Sequence, residues 1–259
     1  MPTLDFGFGA LEVEAWRLLF AMTRIGAALL AAPLFGTAQV PMQVRVSVAG
    51  ALGALIVGWV PFAPPPPLLS LAGTLATLHE VLVGLALGFV LQLTFAAPVI
   101  AAEVIGSGMG MSIAGSADPA TGAASPALGH FLGLVLTLTF FGLDAHLGWI
   151  ALLVHSYVLL PPGGAWLGPG AIHALVLMGG EMLAASAALA LPVTVVLLLV
   201  QLATAVIGRS APSLNLFSLG LPAGVLAGMA ALIAASPLIA DRCAALSLGA
   251  IDQAESLLR

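Results

Sequence analysis

The sequence predicts an all-α integral membrane protein, and three observations support that class. The chain of 259 residues is 61% hydrophobic and only 7% charged, whereas a soluble domain carries about 25% charged residues. Its mean hydropathy is +1.18. It contains no lysine, and its cations are six arginines, so very little of its surface is suited to water. Apolar runs of membrane-spanning length recur along the chain.

Six apolar runs are candidates for spanning helices, because each has roughly 18 or more residues. They cover residues 18–35, 46–62, 81–105, 131–160, 174–207 and 217–248. The start of the chain lacks the basic segment of a cleavable signal peptide, so we expect the first run to be retained. The last three runs exceed the length of one span. Pro192 lies inside the fifth run and predicts either a bent helix or two shorter helices.

The connections between the runs differ in charge. Residues 62–67 and 161–170 are uncharged, proline-rich turns, whereas residues 37–45 and 208–215 each contain an arginine. With six spans, the positive-inside rule places both chain ends outside.

Glycines recur at a spacing of four residues, which puts them on one helix face. These glycines are Gly84 and Gly88, Gly129 and Gly133, and Gly220, Gly224 and Gly228. The spacing is typical of closely packed membrane helices, and ordinary glycine content of such helices is the alternative.

Small residues also dominate the middle of the chain, where residues 108–130 read GMGMSIAGSADPATGAASPALGH. Irregular backbone at membrane depth is tolerated only where protein buries it or water lines it. A surface loop has the same composition, so the residues alone leave a pore segment and a surface loop both open.

Ionisable residues within the apolar runs match no complete catalytic or metal-binding motif. His79 and Glu80 begin HEVLV, which lacks the second histidine of a zinc motif, so we expect them at the start of a helix. Asp144 and His146 could form a metal or proton site with His130 and His155. They are two residues apart, so on a helix they point to different faces.

The remaining charged and sulfur-containing residues exclude several functions. Glu103 and Glu181 are isolated acids in apolar surroundings. Arg17 and Arg24 either snorkel to the membrane edge or pair with an acid of another subunit. The single Cys243 forms no internal disulfide, and the net charge of −5 argues against nucleic-acid binding. We expect no enzyme activity and no cofactor.

Four stretches fall into one pattern: RIGAALLAAPLFGTAQVPMQVR at 24–45, AEVIGSGMGMSIAGSADP at 102–119, FGLDAHLGWIALLVHSYVLLPPGG at 141–164 and RSAPSLNLFSLGLP at 209–222. Together they resemble the FliR family of flagellar type III export-gate proteins, whose virulence-system relatives are the SctT proteins. The chain departs from that pattern at Ile113, Ser116, Ala145 and Ser213. The first two positions tend to be phenylalanine in the family, so the usual aromatic side chains are absent from them in this chain.

The resemblance implies a fold and a function. It implies a single domain over residues 1–259, with long broken helical hairpins similar to a FliP-like part followed by a FliQ-like part. These would pack in a helical multi-subunit gate of the bacterial inner membrane, in the flagellar basal body. The partners implied are FliP-like and FliQ-like subunits, FlhB-like and FlhA-like components, membrane lipid and unfolded exported proteins.

The resemblance also suggests site residues. It places the segment 106–126 in the central pore, where it would restrict leakage. The candidates for this seal and its turn are Met109, Met111, Ile113, Ser116, Asp118 and Pro119. The candidates for assembly contacts are Arg24, Arg45, Glu103, Asp144, His146, Arg209 and Asn215, and we expect the three arginines to pair with acids or exposed carbonyls.

Other functions compete with the export gate. A virulence-type SctT homologue has the same features, and a secondary transporter would use Glu103, Asp144 or His146 as its ion or substrate site. An intramembrane protease is disfavoured by the missing second histidine.

Overall fold

A computed structural model describes residues 9–61, 65–67, 70–111, 126–163, 168–210 and 216–258. Within these ranges the chain forms seven α-helices and no strand, which confirms the all-α class. They are α1 (Gly9–Ala31), α2 (Met42–Trp59), α3 (Leu71–Gly108), α4 (Pro126–Gly142), α5 (Ala145–Leu159), α6 (Pro169–Ser210) and α7 (Leu216–Ser256).

Four of these helices are long and apolar enough to cross a membrane, namely α2, α3, α6 and α7. Helices α4 and α5 supply a fifth span if the pair counts as one broken span. The expectation of six spans is therefore wrong for the described residues. The difference lies in α1, because Glu12, Glu14, Arg17 and Arg24 leave no 18-residue stretch of that helix with fewer than three charges.

One proline, Pro192, does not interrupt its helix as the sequence analysis allowed. Helix α6 continues through Pro192 without interruption, so the prediction of two shorter helices is wrong there. Prolines also lie inside α3 and α7. The fourth apolar run is interrupted instead: α4 ends at Gly142, α5 begins at Ala145, and Asp144 between them has φ of 54°.

The chain divides into two compact units that interleave along the sequence. The first unit contains Met1–Leu93, Ala145–Met178 and Ala250–Arg259, and the second contains Thr94–Asp144 and Gly179–Gly249. The single domain over residues 1–259 stays a prediction.

In the first unit, α1 and α3 pack closely at two glycines. A Cβ atom at Gly84 would lie 2.1 Å from the carbonyl oxygen of Arg24, and one at Gly88 would lie 2.5 Å from that of Ala28. Only glycine permits this distance, which confirms the close-packing prediction for this pair. Trp149 of α5 extends the core by stacking on Phe35, with ring centroids 5.9 Å apart.

In the second unit, the core joins the end of α3 to α4, α6 and α7. Its fully buried members include Ile105, Leu136, Val193 and Leu197. A Cβ atom at Gly133 would meet no atom within 4 Å, and one at Gly129 would make only an ordinary contact with Val99. This glycine pair therefore mediates no close approach within the described residues, in contrast to Gly84 and Gly88.

Candidate functional site

A buried ion pair between Arg24 and Glu80 is the main polar feature of the first unit. Arg24 Nε donates to Glu80 Oε2 at 2.8 Å, and Arg24 Nη2 donates to Glu80 Oε1 at 3.0 Å. Both side chains are 0% exposed. The two parallel hydrogen bonds match the fork of the guanidinium, which makes this geometry specific to arginine.

The same guanidinium binds the carboxyl end of α5. Arg24 Nη1 donates to the carbonyl oxygen of Ser156 at 2.8 Å and to its hydroxyl at 3.1 Å. Arg24 Nη2 also donates to the carbonyl oxygen of Leu160 at 2.9 Å, and that carbonyl follows the last residue of α5. Carbonyls at a helix end lack intrahelical donors, and a cation there is favoured by the helix dipole.

Aromatic and backbone groups complete this cluster. The guanidinium carbon of Arg24 lies 4.3 Å from the centroid of the Tyr157 ring, and the Tyr157 hydroxyl donates to the carbonyl oxygen of Ala21. The backbone N–H of Gly163 donates to Glu80 Oε1 at 3.3 Å. The cluster therefore joins α1, α3, α5 and the turn after α5 through buried polar contacts.

These contacts correct both interpretations of Arg24. The side chain neither snorkels nor needs an acid from another subunit, because Glu80 of the same chain is its partner. The expectation that Arg24 pairs with an acid is confirmed. Any role of Arg24 in assembly is therefore indirect, through the shape of this unit.

Glu80 is the main site residue whose role the sequence analysis missed. We expected His79 and Glu80 at a helix start, but α3 begins at Leu71 and both residues are buried inside it. A signal was present, because Ser70 is a preferred N-cap residue. Its hydroxyl accepts a hydrogen bond from the N–H of Gly73 at 3.0 Å.

Arg45 binds backbone carbonyl oxygens, as expected, and these belong to the connection between α1 and α2. Its Nε donates to the carbonyl oxygen of Phe35 at 2.8 Å, and its Nη2 donates to that of Thr37. The arginine therefore satisfies backbone acceptors of the segment that precedes α2.

The other proposed assembly residues are placed differently. Glu103, Asp144 and Arg209 are exposed, and within the described ranges none has a side-chain hydrogen bond or ion pair. His146 is half-buried in the first turn of α5. Asn215 lies outside the described residues. Asp144 and His146 do not share a helix, because α4 ends at Gly142 and α5 begins at Ala145, with Asp144 in the connection.

The candidate pore segment is described only at its start. Ile113, Ser116, Asp118 and Pro119 lie outside the described residues, whereas Met109 and Met111 lie within them. Met109 is 4% exposed and belongs to the core of the second unit. Its side chain lies against α7, where a Cβ atom at Gly228 would be 2.2 Å from its Cε.

No group of three His, Cys, Asp or Glu residues suited to a metal ion occurs in the ranges that the structure covers. A buried ion pair joins helices of the first unit, and the buried side chain of Met109 packs the end of α3 into the core of the second. These features, with the long apolar helices, define a helical integral membrane protein.

Comparison with known proteins identifies the family. A family model described as Bacterial export proteins, family 1, matches residues 15–248. Flagellar biosynthetic protein FliR of Escherichia coli (strain K12) is 34% identical over 233 residues, which cover 90% of this chain and 87% of the relative. The proteins of the same name from Pectobacterium carotovorum subsp. carotovorum and Bacillus subtilis (strain 168) are each 31% identical. They cover 90% and 79% of this chain, and 89% and 80% of their own lengths.

The chain belongs to this family of bacterial export proteins, in which its named relatives are flagellar FliR proteins. The resemblance found in the four sequence stretches is thereby confirmed.

Proposed function

We propose that this chain is a core subunit of the flagellar type III protein export gate in the bacterial inner membrane, within the flagellar basal body. The observation that carries the proposal is the similarity to flagellar FliR over 90% of the chain. In this role the chain has no enzyme activity and helps to form the entry for unfolded flagellar proteins.

The exposed surface of α6 supports a role inside a larger assembly. Leu191, Val195, Leu198, Leu202 and Val206 recur at helical spacing and are all exposed. Residues on the other side of the same helix are buried in the second unit. An apolar stripe of this length needs either lipid or neighbouring helices to cover it. We propose FliP-like and FliQ-like subunits as these neighbours, with FlhB-like and FlhA-like components nearby.

Three exposed charges extend this proposal to specific contacts. Glu103 and Arg209 lie near the ends of long apolar helices, and Asp144 lies at the break between α4 and α5. Charged groups at membrane depth are normally paired or directed to water. We propose that Glu103, Asp144, His146, Arg209 and Asn215 contact other gate subunits.

The segment 106–126 is proposed to restrict leakage through the idle gate. Apolar side chains close a narrow pore by excluding water from it. Ile113 is the proposed sealing residue, with Asp118 and Pro119 in the turn that directs the segment, whereas Met111 packs against the core of the second unit. Met109 is removed from the seal, because its side chain is buried against α7.

The decisive experiment deletes the gene in its own bacterium and restores it from a plasmid. We expect the deletion to abolish secretion of flagellar filament proteins, and the plasmid to restore it. A tagged chain should co-purify with FliP-like and FliQ-like subunits. Normal flagellar secretion in the deletion strain would contradict the proposal. Loss of a virulence effector alone would favour the SctT alternative, and a stable monomer that takes up a solute would favour a transporter.

A further inference from the structure

The carboxyl end of α3 is held by hydrogen bonds and by side-chain packing in the second unit. Met109 N–H donates to the carbonyl oxygen of Ile105 at 2.9 Å, and Gly110 N–H donates to that of Ser107 at 3.0 Å. The carbonyl oxygen of Gly108 accepts a hydrogen bond from Gln201 Nε2 of α6 at 2.8 Å. Three carbonyl oxygens at this helix end, those of Ile105, Ser107 and Gly108, therefore accept hydrogen bonds within the chain.

The side chain of Met109 occupies a notch on α7. A Cβ atom at Gly228 would lie 2.2 Å from Met109 Cε and 2.7 Å from its Cγ. A Cβ atom at Gly224 would lie 3.1 Å from the carbonyl oxygen of Met109. Two glycines one helical turn apart therefore admit the side chain and the backbone of one residue.

We infer that Gly224 and Gly228 form a seat for Met109, and that this seat is a fixed anchor which sets where the segment after Gly110 begins. Met109 is then a positioning residue of the gate and not part of its seal. This inference rests on the proposed function, since it assigns the seat a role in keeping the idle gate closed.

The backbone geometry favours a fixed anchor over a latch that opens. Gly110 has φ of +79°, a conformation that residues with a side chain rarely adopt. The direction of the chain therefore changes at Gly110, immediately after the seated residue. Movement that starts beyond Gly110 leaves all the contacts of Gly108 and Met109 intact, whereas movement of Met109 would break them together.

A disulfide experiment tests the seat without reference to leakage. Met109→Cys and Gly228→Cys are combined in a Cys243→Ala background, in the assembled gate, and an added thiol oxidant is used to form the bond. A Cβ atom at residue 228 would lie 2.7 Å from Met109 Cγ, the position next to Cβ that the sulfur of Met109→Cys takes, so we expect a disulfide to be within reach. The matched control pairs Met109→Cys with Gly220→Cys, because a Cβ atom at Gly220 meets no atom within 4 Å.

We expect the 109–228 pair to cross-link and the 109–220 pair not to. Secretion of flagellar proteins should continue at an unchanged rate in the cross-linked gate, because a fixed anchor does not move during export. Failure of the 109–228 pair to cross-link would overturn the seat. A cross-linked gate that stops secreting, and recovers on reduction, would show that Met109 is a moving latch.

A second set of variants tests what the seat does for the closed gate. Gly228→Ala should displace Met109 and raise solute leakage several-fold, whereas Gly220→Ala should not. Adding Met109→Ala to Gly228→Ala should lower leakage again, because the shorter side chain leaves room for the added methyl group. Unchanged leakage in Gly228→Ala would overturn the positioning role, even if the cross-link forms. Deletion of the following segment tests the proposed seal separately, so the two failures are distinguishable.

Discussion

Arg24 and Glu80 form a bidentate ion pair that joins two helices across 56 positions of sequence, with hydrogen bonds of 2.8 and 3.0 Å and no exposed side-chain surface. Removing both charges from water is unfavourable, and their attraction offsets this only when the remaining donors are also satisfied. Here the carbonyl oxygens of Ser156 and Leu160 accept the other guanidinium protons. The pair therefore has a defined position that few other side chains could occupy.

Breaking this pair from one side should be strongly destabilising. Arg24→Met leaves the Glu80 carboxylate buried without its cation, and we expect a loss of about 3–5 kcal/mol. The measurement is the thermal unfolding midpoint of the detergent-solubilised protein in its assembled complex.

Two controls separate charge burial from general damage at this site. The double variant Arg24→Met/Glu80→Met should lose less stability than Arg24→Met, because it leaves no uncompensated charge. Arg17→Met breaks the partly exposed pair with Glu14, at 3.1 Å, and should change stability by about 1 kcal/mol or less. A double variant that is less stable than Arg24→Met would contradict this account of the cluster.

The packing of α1 on α3 predicts opposite effects for two glycine substitutions. Gly84→Ala should destabilise the first unit by about 1–3 kcal/mol, because the new methyl group would meet the carbonyl oxygen of Arg24. Gly26→Ala on α1 meets no atom within 4 Å and should stabilise the helix by up to about 1 kcal/mol. The yield of folded protein after mild heating measures both, and equal effects would show that Gly84 is not a close contact.

The sequence analysis predicted the helices better than their polar contacts, and the reason is physical. A long hydrophobic run indicates a helix surrounded by lipid or protein and not by water, so α2, α3, α6 and α7 were all anticipated as apolar segments. Hydrophobic runs do not indicate which charged residues form ion pairs, because the partner of Arg24 is set by tertiary packing. Glu80 was assigned to a helix start because the apolar run was measured from Val81, although Ser70 marks the true beginning of α3.

The same limit applies to the candidate pore segment. The FliR-like motif identified the region around Met109, and the family was confirmed by comparison. No pattern in residues 106–111 shows that Met109 packs on a helix more than 100 residues later. The spacing of Gly224 and Gly228 predicted a close approach, but to a neighbouring helix rather than to one methionine. A notch of this kind becomes visible only when both backbones are placed.

Two arginines should affect different properties. Arg45→Gln removes charged donors from the carbonyl oxygens of Phe35 and Thr37, and should lower stability by about 1.5–3 kcal/mol. Arg209→Ala should leave the stability of the chain unchanged, because the side chain is exposed at the end of α6. It should instead lower the yield of the assembled gate.

The readout for these arginines is the amount of complex recovered with a tagged FliP-like subunit, set beside the thermal midpoint. Arg259→Ala at the chain terminus is the matched control and should lower neither quantity. If Arg209→Ala and Arg259→Ala give the same recovery as the unaltered chain, Arg209 is not an assembly contact.

The last prediction concerns the proposed seal and where a deletion in it must begin. A deletion that includes Met109 would empty the notch at Gly228 and damage the core of the second unit. Truncating a buried methionine lowers the free energy of unfolding by about 2–5 kcal/mol. Leakage in that variant could then come from misfolding and not from loss of the seal. A deletion of residues 113–117 keeps the seat and removes Ile113 and Ser116.

We expect the 113–117 deletion to assemble normally and to make overproducing cells sensitive to small solutes. The physical reason is that water enters a constriction once its apolar side chains are removed. Replacing residues 113–117 with five other small and apolar residues, including one isoleucine, is the control and should restore the barrier. Normal assembly with no more leakage than the intact protein would show that this segment is a surface loop. Because the seat of Met109 is untouched in this variant, that result would leave the anchor geometry intact and would refute the seal alone.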